Sequence, residues 1–221
     1  MKTILICGYR NWSYDIYKNL SEQDIKFDYN LIYVDDKDEL EMVIHRYNPE
    51  MIFFVGWSWI IQDKIINTYK CICLHPSSLP KYRGGSPIQH QIINGETESA
   101  VTLFRMDSGI DTGDILYQES FSLDGNLRDI FTRIVSIGHK GIRKIILGDY
   151  TITKQDESKA TFFKRRTKDT SEIKIEDFNN FTAKEIHNKI RALQSPYPNA
   201  FIVCKDGTKL FIEYSKHGEQ K

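Results

Sequence analysis

The sequence predicts an α/β fold: a mostly parallel sheet with helices on both faces, then a small C-terminal α+β appendage that ends in a hairpin. Short runs with no polar residue, such as Ile4-Leu5-Ile6-Cys7, Met51-Ile52-Phe53-Phe54-Val55 and Cys71-Ile72-Cys73-Leu74, alternate with amphipathic stretches. Strands that are apolar throughout are covered on both faces, and that alternation is the mark of a parallel sheet crossed by helices. From Ala100 onward the pattern changes to adjacent strands, one long helical stretch and a closing pair of short strands.

The elements follow in order. The first strand, 4–7, stops at Gly8, and a helix is expected over 14–20. A strand at 31–34 ends in Asp35-Asp36, with a helix over 39–47. The third strand, 51–55, stops at Gly56 and precedes a helical pattern over 61–69, after which 71–74 forms the fourth. This first half is Rossmann-like, and ligands of such sheets sit at the carboxyl ends of the strands. Residues 101–106 and 115–118 read as strands around the polar loop 107–114. A long helix is expected over 127–147, capped by Asn126 and closed by Gly148. Residues 150–177 are polar and expected to be irregular, and a helix follows over 183–193. Ser195-Pro196-Tyr197-Pro198 is expected to be extended, because proline disfavours helix in the residue before it. Strands 201–204 and 209–214 close the hairpin around Lys205-Asp206-Gly207-Thr208, and the tail 215–221 is expected to fray. The organisation read from this is a main domain over 1–150 and a C-terminal extension over 151–221.

Composition narrows the function. Hydrophobic residues make up 40% and charged residues 27% of the 221, as in ordinary globular chains. The 30 basic and 30 acidic residues cancel, which lowers the expectation of a nucleic-acid partner, since phosphate contacts normally call for a basic surplus. No run approaches the roughly 20 apolar residues of a membrane span, and the start reads as a strand and not a leader. The four cysteines fall in apolar runs, the pattern of buried, reduced thiols in a cytoplasmic protein.

The residues that carry chemistry are His75-Pro76-Ser77-Ser78-Leu79-Pro80-Lys81-Tyr82-Arg83-Gly84-Gly85-Ser86-Pro87 and the loop Asp107-Ser108-Gly109-Ile110-Asp111-Thr112-Gly113-Asp114. Alone, a histidine at a strand end is more often structural, and an acidic loop between strands is as readily a solvated turn. Together, His-Pro-Ser-x-Leu-Pro-x-Tyr-Arg-Gly and Asp-x-Gly-Asp resemble the formyltransferase family that includes methionyl-tRNA, glycinamide ribonucleotide and nucleotide-sugar formyltransferases. Gly56-Trp57-Ser58-Trp59-Ile60-Ile61 is similar to that family's folate-lining segment. Ile190-Arg191-Ala192-Leu193 and Pro196-Tyr197-Pro198-Asn199-Ala200-Phe201 are similar to a late segment of its tRNA and sugar branches.

The resemblance implies transfer of a formyl group from 10-formyltetrahydrofolate to an amine, with no metal. An amine adding to the formyl carbon creates an oxyanion that needs hydrogen-bond donors, and it must lose a proton to a base. By resemblance His75 stabilises the oxyanion or relays the proton, Asp111 tunes His75, and Cys73 completes the catalytic set. Ser58, Trp59, Ile60 and Ile61, with Asp107 and Gly109, are implied for the folate. Tyr9, Arg10, Asn11, Trp12, Arg83 and Gly84 are implied for the acceptor. The loop 8–12 is as readily a polar strand-to-helix turn, and it lacks the glycine pattern of a dinucleotide site. Lys164-Arg165-Arg166 either reaches a diphosphate or is solvated surface.

One position departs from the family, which has asparagine two residues before the histidine where this chain has Cys73. A thiol is a weak donor. Cys73 is therefore a variant compensated by another donor, a residue that lowers activity, a nucleophile paired with His75, or a zinc ligand with Cys71 and His75. For the acceptor, the short stretch after Pro-Tyr-Pro and the absence of net charge argue against tRNA. The Tyr-Arg-Gly-Gly-Ser-Pro and Ala-Leu-Gln-Ser-Pro-Tyr-Pro features argue against a ribonucleotide. That leaves a nucleotide-linked amino sugar such as dTDP-4-amino-4,6-dideoxyglucose, made for surface polysaccharide. A formyltransferase acting on a tRNA-linked amino acid or a ribonucleotide, a folate- or nucleotide-binding module with impaired catalysis, and a formate-releasing hydrolase remain the alternatives. The apolar side chains on both faces of the hairpin point to packing on the main domain or on a second copy, a homodimer.

Overall fold

The computed structural model describes residues 2–22 and 29–218. Strands β1 (Lys2–Cys7), β2 (Tyr29–Val34), β3 (Met51–Val55) and β4 (Lys70–His75) are parallel neighbours. Strands β5 (Arg83–Gly84), β6 (Glu98–Arg105) and β7 (Ile115–Ser122) follow along the chain, and the main sheet runs β2-β1-β3-β4-β6-β7. Strand β6 is antiparallel to both β4 and β7, so the sheet is mixed at one edge.

Alternation along the strands divides the core in two. Ile4, Ile6, Phe53, Val55, Ile72 and Leu74 face α1 (Asn11–Glu22) and α5 (Leu127–Ile146), whose Ile16, Leu20, Ile130 and Ile134 meet them. Leu5, Cys7, Ile52, Phe54 and Cys71 face α2 (Leu40–Tyr47) and α3 (Asp63–Thr68). At about 25 cal/mol per Å² of apolar surface removed from water, these two layers are the main source of stability. Helix α5 begins at a capping box in which Asn126 and Asp129 satisfy each other's backbone N–H. Gly138 lets α5 lie close to the sheet, since a Cβ there would come 2.7 Å from Leu74.

Helices α4 (Pro87–Ile93), α6 (Asp177–Asn180) and α7 (Ala183–Arg191) and strands β8 (Phe162–Phe163), β9 (Ala200–Val203) and β10 (Lys209–Ile212) complete the chain. Ile173, Ile186, Ile190, Leu193 and Ala200 form a third, small core under the β9–β10 hairpin. Arg191 ties it to the main unit by donating to the Leu123 carbonyl at 2.7 Å, and Gln194 accepts from the Leu127 N–H at 3.1 Å. None of the helices in the described residues is long and apolar enough to cross a membrane.

Four expectations are corrected. Residues 195–197 are not extended: Tyr197 N–H donates to the Gln194 carbonyl at 3.0 Å, closing a tight turn that holds the cis Ser195–Pro196 bond. The polar stretch 150–177 is not wholly irregular. Its β8 pairs in parallel with β5, and Thr153 bridges to Ile115, because backbone groups brought over a buried loop must find partners. Helix α1 starts at Asn11, three residues before the expected Tyr14, because Ser13 Oγ accepts from Arg10 N–H at 3.1 Å and donates back to its carbonyl, and Trp12 is buried with the stripe. Cys204 is exposed at the hairpin turn, whereas Cys7 and Cys71 are buried; all four cysteines are free thiols. Of the expected frayed tail, 215–218 carries no strand or helix, and 219–221 lies outside the described residues.

Candidate active site

Strands β1, β3 and β4 end side by side, and their following loops form the floor of a cleft. Gly8 must be glycine there, since a Cβ would sit 2.2 Å from the Val55 carbonyl oxygen. Gly56, at φ +64°, turns the chain off β3 against the Trp12 ring. The cleft is lined by Arg10 and Trp12 from the first loop and helix, Trp57 and Ser58 from the second, and Cys73 and His75 from β4. Gly84, Gln89, Asp111, Arg165 and Tyr197 close it from the other side.

His75 and Asp111 meet. The imidazole Nδ1 lies 3.5 Å from Asp111 Oδ2, with the two side chains 7% and 16% exposed. Asp111 does not arrive from the carboxyl end of a parallel strand, as expected from the sheet type. Strand β6 is antiparallel, and Arg105 at its end stands opposite Ile72 near the start of β4. The loop after it doubles back, held by Arg105 N–H donating to Asp114 at 2.9 Å and by Gln155 donating to the carbonyls of Asp111 and Gly113. Asp111 itself takes the left-handed conformation, φ +56°, which aspartate tolerates better than most residues. Its Oδ2 accepts from the Gly84 N–H at 2.7 Å, a charge-assisted bond.

The other nitrogen of His75, Nε2, lies 2.8 Å from the Tyr82 carbonyl oxygen. A carbonyl only accepts, so this nitrogen carries a proton. The nitrogen facing Asp111 is then bare in a neutral ring, and a favourable contact with the carboxyl group requires one further proton shared by the pair.

Cys73 stands on the same face of β4 as His75, two residues earlier, and is half-buried. Burial, and then the negative charge of Asp111, push its thiol well above the usual range, so it is neutral near pH 7. A nucleophile needs the thiolate, and these surroundings oppose it. Cys71 turns to the Ile65 carbonyl, 3.8 Å from its sulfur, and its thiol is pushed up to about 12 by burial. No three of His, Cys, Asp and Glu gather as metal ligands among the described residues.

Arg10 stacks its guanidinium on Tyr9 (4.5 Å to the ring centre) and Tyr197 (5.5 Å) at the junction of this cleft with another lined by Asn11, Tyr14 and Asp35. Arg165 donates to Ser58 Oγ at 3.0 Å. Neither guanidinium is salt-bridged among the described residues. Trp57 and Ser58 also line a third cleft with Trp59, Ile60 and Ile61. Ile60 is 95% exposed there while Ile61 is buried, leaving an apolar edge beside the catalytic cleft.

Five implied residues, Tyr9, Asn11, Arg83, Asp107 and Gly109, do not line the cleft. Arg83 is buried and commits four of its five N–H groups to Glu157 and Gln155, with bonds of 2.6–3.1 Å, which fixes the loop and keeps the side chain out of the cleft. Asp107 is turned into its own loop, accepting from Gly109 N–H at 3.0 Å and Thr112 Oγ1 at 2.6 Å, so neither Asp107 nor Gly109 lines the cleft. Tyr9 and Asn11 belong to the neighbouring cleft. Gln89 and Tyr197 were missed as lining residues. Gln89 is 3% exposed with its Nε2 unpartnered among the described residues, and the polar run Gln89-His90-Gln91 between isoleucines gave no signal that singled it out.

Comparison with known proteins agrees with this geometry. Residues 19–145 match the family described as "Formyl transferase", and 167–221 match "Formyl transferase, C-terminal domain". A methionyl-tRNA formyltransferase of Lachnospira eligens is 39% identical over 76% of this chain and 54% of its own length. One from Caldicellulosiruptor saccharolyticus is 32% identical over 84% of this chain and 61% of its own. The chain thus spans little more than half the length of these relatives. Among solved structures, a methionyl-tRNA formyltransferase from Clostridium thermocellum superposes with TM-score 0.83 at 30% identity, covering 96% of this chain and 97% of that one. A sugar 3N-formyl transferase solved with dTDP and 5-N-formyl-THF superposes with TM-score 0.60 at 28% identity, covering 87% and 79%. With its sheet, its His75–Asp111 pair and these matches in agreement, the chain belongs to the formyl transferase family.

Proposed function

We propose that the chain transfers a formyl group from 10-formyltetrahydrofolate to the amino group of a nucleotide-linked amino sugar. The observation that carries the transfer is the buried contact of His75 with Asp111 at the mouth of a cleft that also holds Cys73. The apolar edge of Trp57, Trp59, Ile60 and Ile61 fits a flat, partly apolar donor, and these residues with Ser58 would hold it. The donor, when bound, supplies the activated formyl carbon.

His75 and Asp111 together hold the proton that moves. With Nε2–H committed to the Tyr82 carbonyl, His75 works through Nδ1: as the amine adds to the formyl carbon its proton passes to the His75–Asp111 pair, and the pair gives it to the folate nitrogen when that nitrogen's bond to the formyl carbon breaks, with Asp111 stabilising the charged ring meanwhile. The Cys73 S–H stands on the same strand face and supplies a weak donor to the oxygen that gains charge. Gly84 N–H keeps Asp111 turned toward the ring.

The acceptor reading rests on Arg10 and Arg165, two guanidiniums without carboxylate partners at the cleft, which fit a diphosphate. The likeness to a sugar 3N-formyl transferase and the balance of 30 basic and 30 acidic residues support it. A methionyl-tRNA acceptor is the second reading, favoured by the sequence relatives. Incubation with 10-formyltetrahydrofolate and, in turn, dTDP-4-amino-4,6-dideoxyglucose, glycinamide ribonucleotide or methionyl-tRNA separates them. Formylated sugar is expected; formylation of methionyl-tRNA alone would overturn the sugar assignment. Donor loss without any acceptor would mark a hydrolase, and no donor loss a binding module.

A further inference from the structure

We infer that Tyr82 is a positioning residue: its main-chain carbonyl fixes a proton on Nε2 of His75, so that Nδ1 is the nitrogen that exchanges its proton with Asp111. This rests on the reading of His75 and Asp111 as the reacting pair. Residues 82–84 grip both partners in opposite senses. The Tyr82 carbonyl accepts from the imidazole at 2.8 Å, and the Gly84 N–H donates to the carboxylate at 2.7 Å. An acceptor placed on one nitrogen selects the tautomer, and a donor placed on the carboxylate fixes the oxygen that faces the ring.

The carbonyl points at His75 because Tyr82 is left-handed, φ +60°. A bulky residue avoids that conformation, so it persists only where the surroundings over-determine it. They do so here from three directions. The Tyr82 N–H donates to Thr161 Oγ1 at 2.8 Å. Its ring stacks on Phe163 at 4.8 Å with 11° between planes. Its hydroxyl donates to Glu96 at 2.9 Å and accepts from Asn94 at 3.3 Å. The side chain is 8% exposed and does not line the cleft, so it acts through His75 and not on substrate. The ring and hydroxyl anchors thus set a backbone oxygen, and β8, a two-residue strand from the second half of the chain, is part of the positioning apparatus.

The test uses ¹⁵N-histidine-labelled full-length protein without donor or acceptor, with the His75 signals identified by their loss in His75→Gln. The wild type is expected to show a protonated Nε2 and no neutral Nδ1–H tautomer; that neutral tautomer would overturn the proposal. Two variants separate backbone positioning from ring packing. Tyr82→Ala and Tyr82→Asn lose the same ring, but asparagine enters the left-handed region far more readily than alanine. Asn is therefore expected to retain the Nε2–H signature, and Ala to show mixed tautomers. Turnover of Ala is expected to be lower by roughly fivefold to thirtyfold than that of Asn, the weight of a left-handed placement, with KM for the donor unchanged. Equal spectra and equal turnover in the two would reduce Tyr82 to packing. Tyr82→Phe keeps the stack and loses only the bonds to Glu96 and Asn94, so it is readable even if the smaller side chains fail to fold. A partial gain of the second tautomer is expected from it, and a wild-type spectrum would remove the hydroxyl anchor. The spectra need no substrate, so failure of the transfer reading and failure of this proposal are seen separately.

Discussion

Replacing Cys73 by asparagine isolates the donor that this site makes weakest. Cys73 shares a strand face with His75 at a separation of two residues, roughly 6.6 Å along β4, close enough for both to reach one reacting group. Its thiol is neutral, because burial and then the Asp111 charge oppose ionisation, so it offers the cleft a single S–H. Removing a well-aimed N–H from a developing oxyanion costs about 3–4 kcal/mol in other enzymes, and S–H recovers only part of that. Cys73→Asn is therefore expected to hold or raise kcat, by up to about 1–3 kcal/mol, or roughly 5- to 150-fold if the amide reaches the oxygen. The larger side chain enters a cleft shared with Trp57, beside the core under α2 and α3, and should lower stability by less than about 2 kcal/mol. Single-turnover kinetics read the first effect and urea midpoints the second, and Cys73→Ser should remain active. Loss of activity in both variants, with a formyl thioester on Cys73 in mass spectrometry of the wild type, would refute the reasoning and establish covalent catalysis.

Three further outcomes follow from particular contacts. Gly84→Ala should destabilise by about 2–4 kcal/mol and depress turnover, because φ +93° is strained for alanine and its Cβ would sit 2.3 Å from the Phe163 carbonyl; an unchanged urea midpoint would contradict the β5–β8 contact. Arg10→Ala and Arg165→Ala should each weaken dTDP binding about tenfold by calorimetry, and undiminished binding in both would move the diphosphate elsewhere. Leu210 and Phe211 are 57% and 60% exposed on β10, so Leu210→Ser with Phe211→Ser should reduce self-association in sedimentation; a wild-type monomer at all concentrations would remove the dimer.

The parallel half of the fold was legible because its strands are buried on both faces and leave runs such as Met51-Ile52-Phe53-Phe54-Val55 with no polar residue. The cleft was legible at Cys73 and His75, which a strand of known direction delivers to one face. Asp111 was legible as a residue and not as a path, because the antiparallel direction of β6 is set by pairing partners far away in sequence. Arg83 shows the same limit from the other side. Its position in the motif read as an acceptor contact, but Gln155 and Glu157, more than seventy residues on, take four of its five N–H groups. The left-handed Tyr82 and its anchors left no local signal, since Phe163, Thr161 and Glu96 are each remote from it along the chain.

The central claim is that His75 and Asp111 act as one proton-holding unit. A double-mutant cycle on turnover with His75→Ala, Asp111→Ala and the double variant, in chains verified as folded, tests it most directly. Each single change is expected to cost on the order of 100-fold or more, and the double variant little beyond the larger single loss, because partners in one relay are not additive. Near-wild-type turnover in both single variants, or independent losses that multiply in the double, would contradict it.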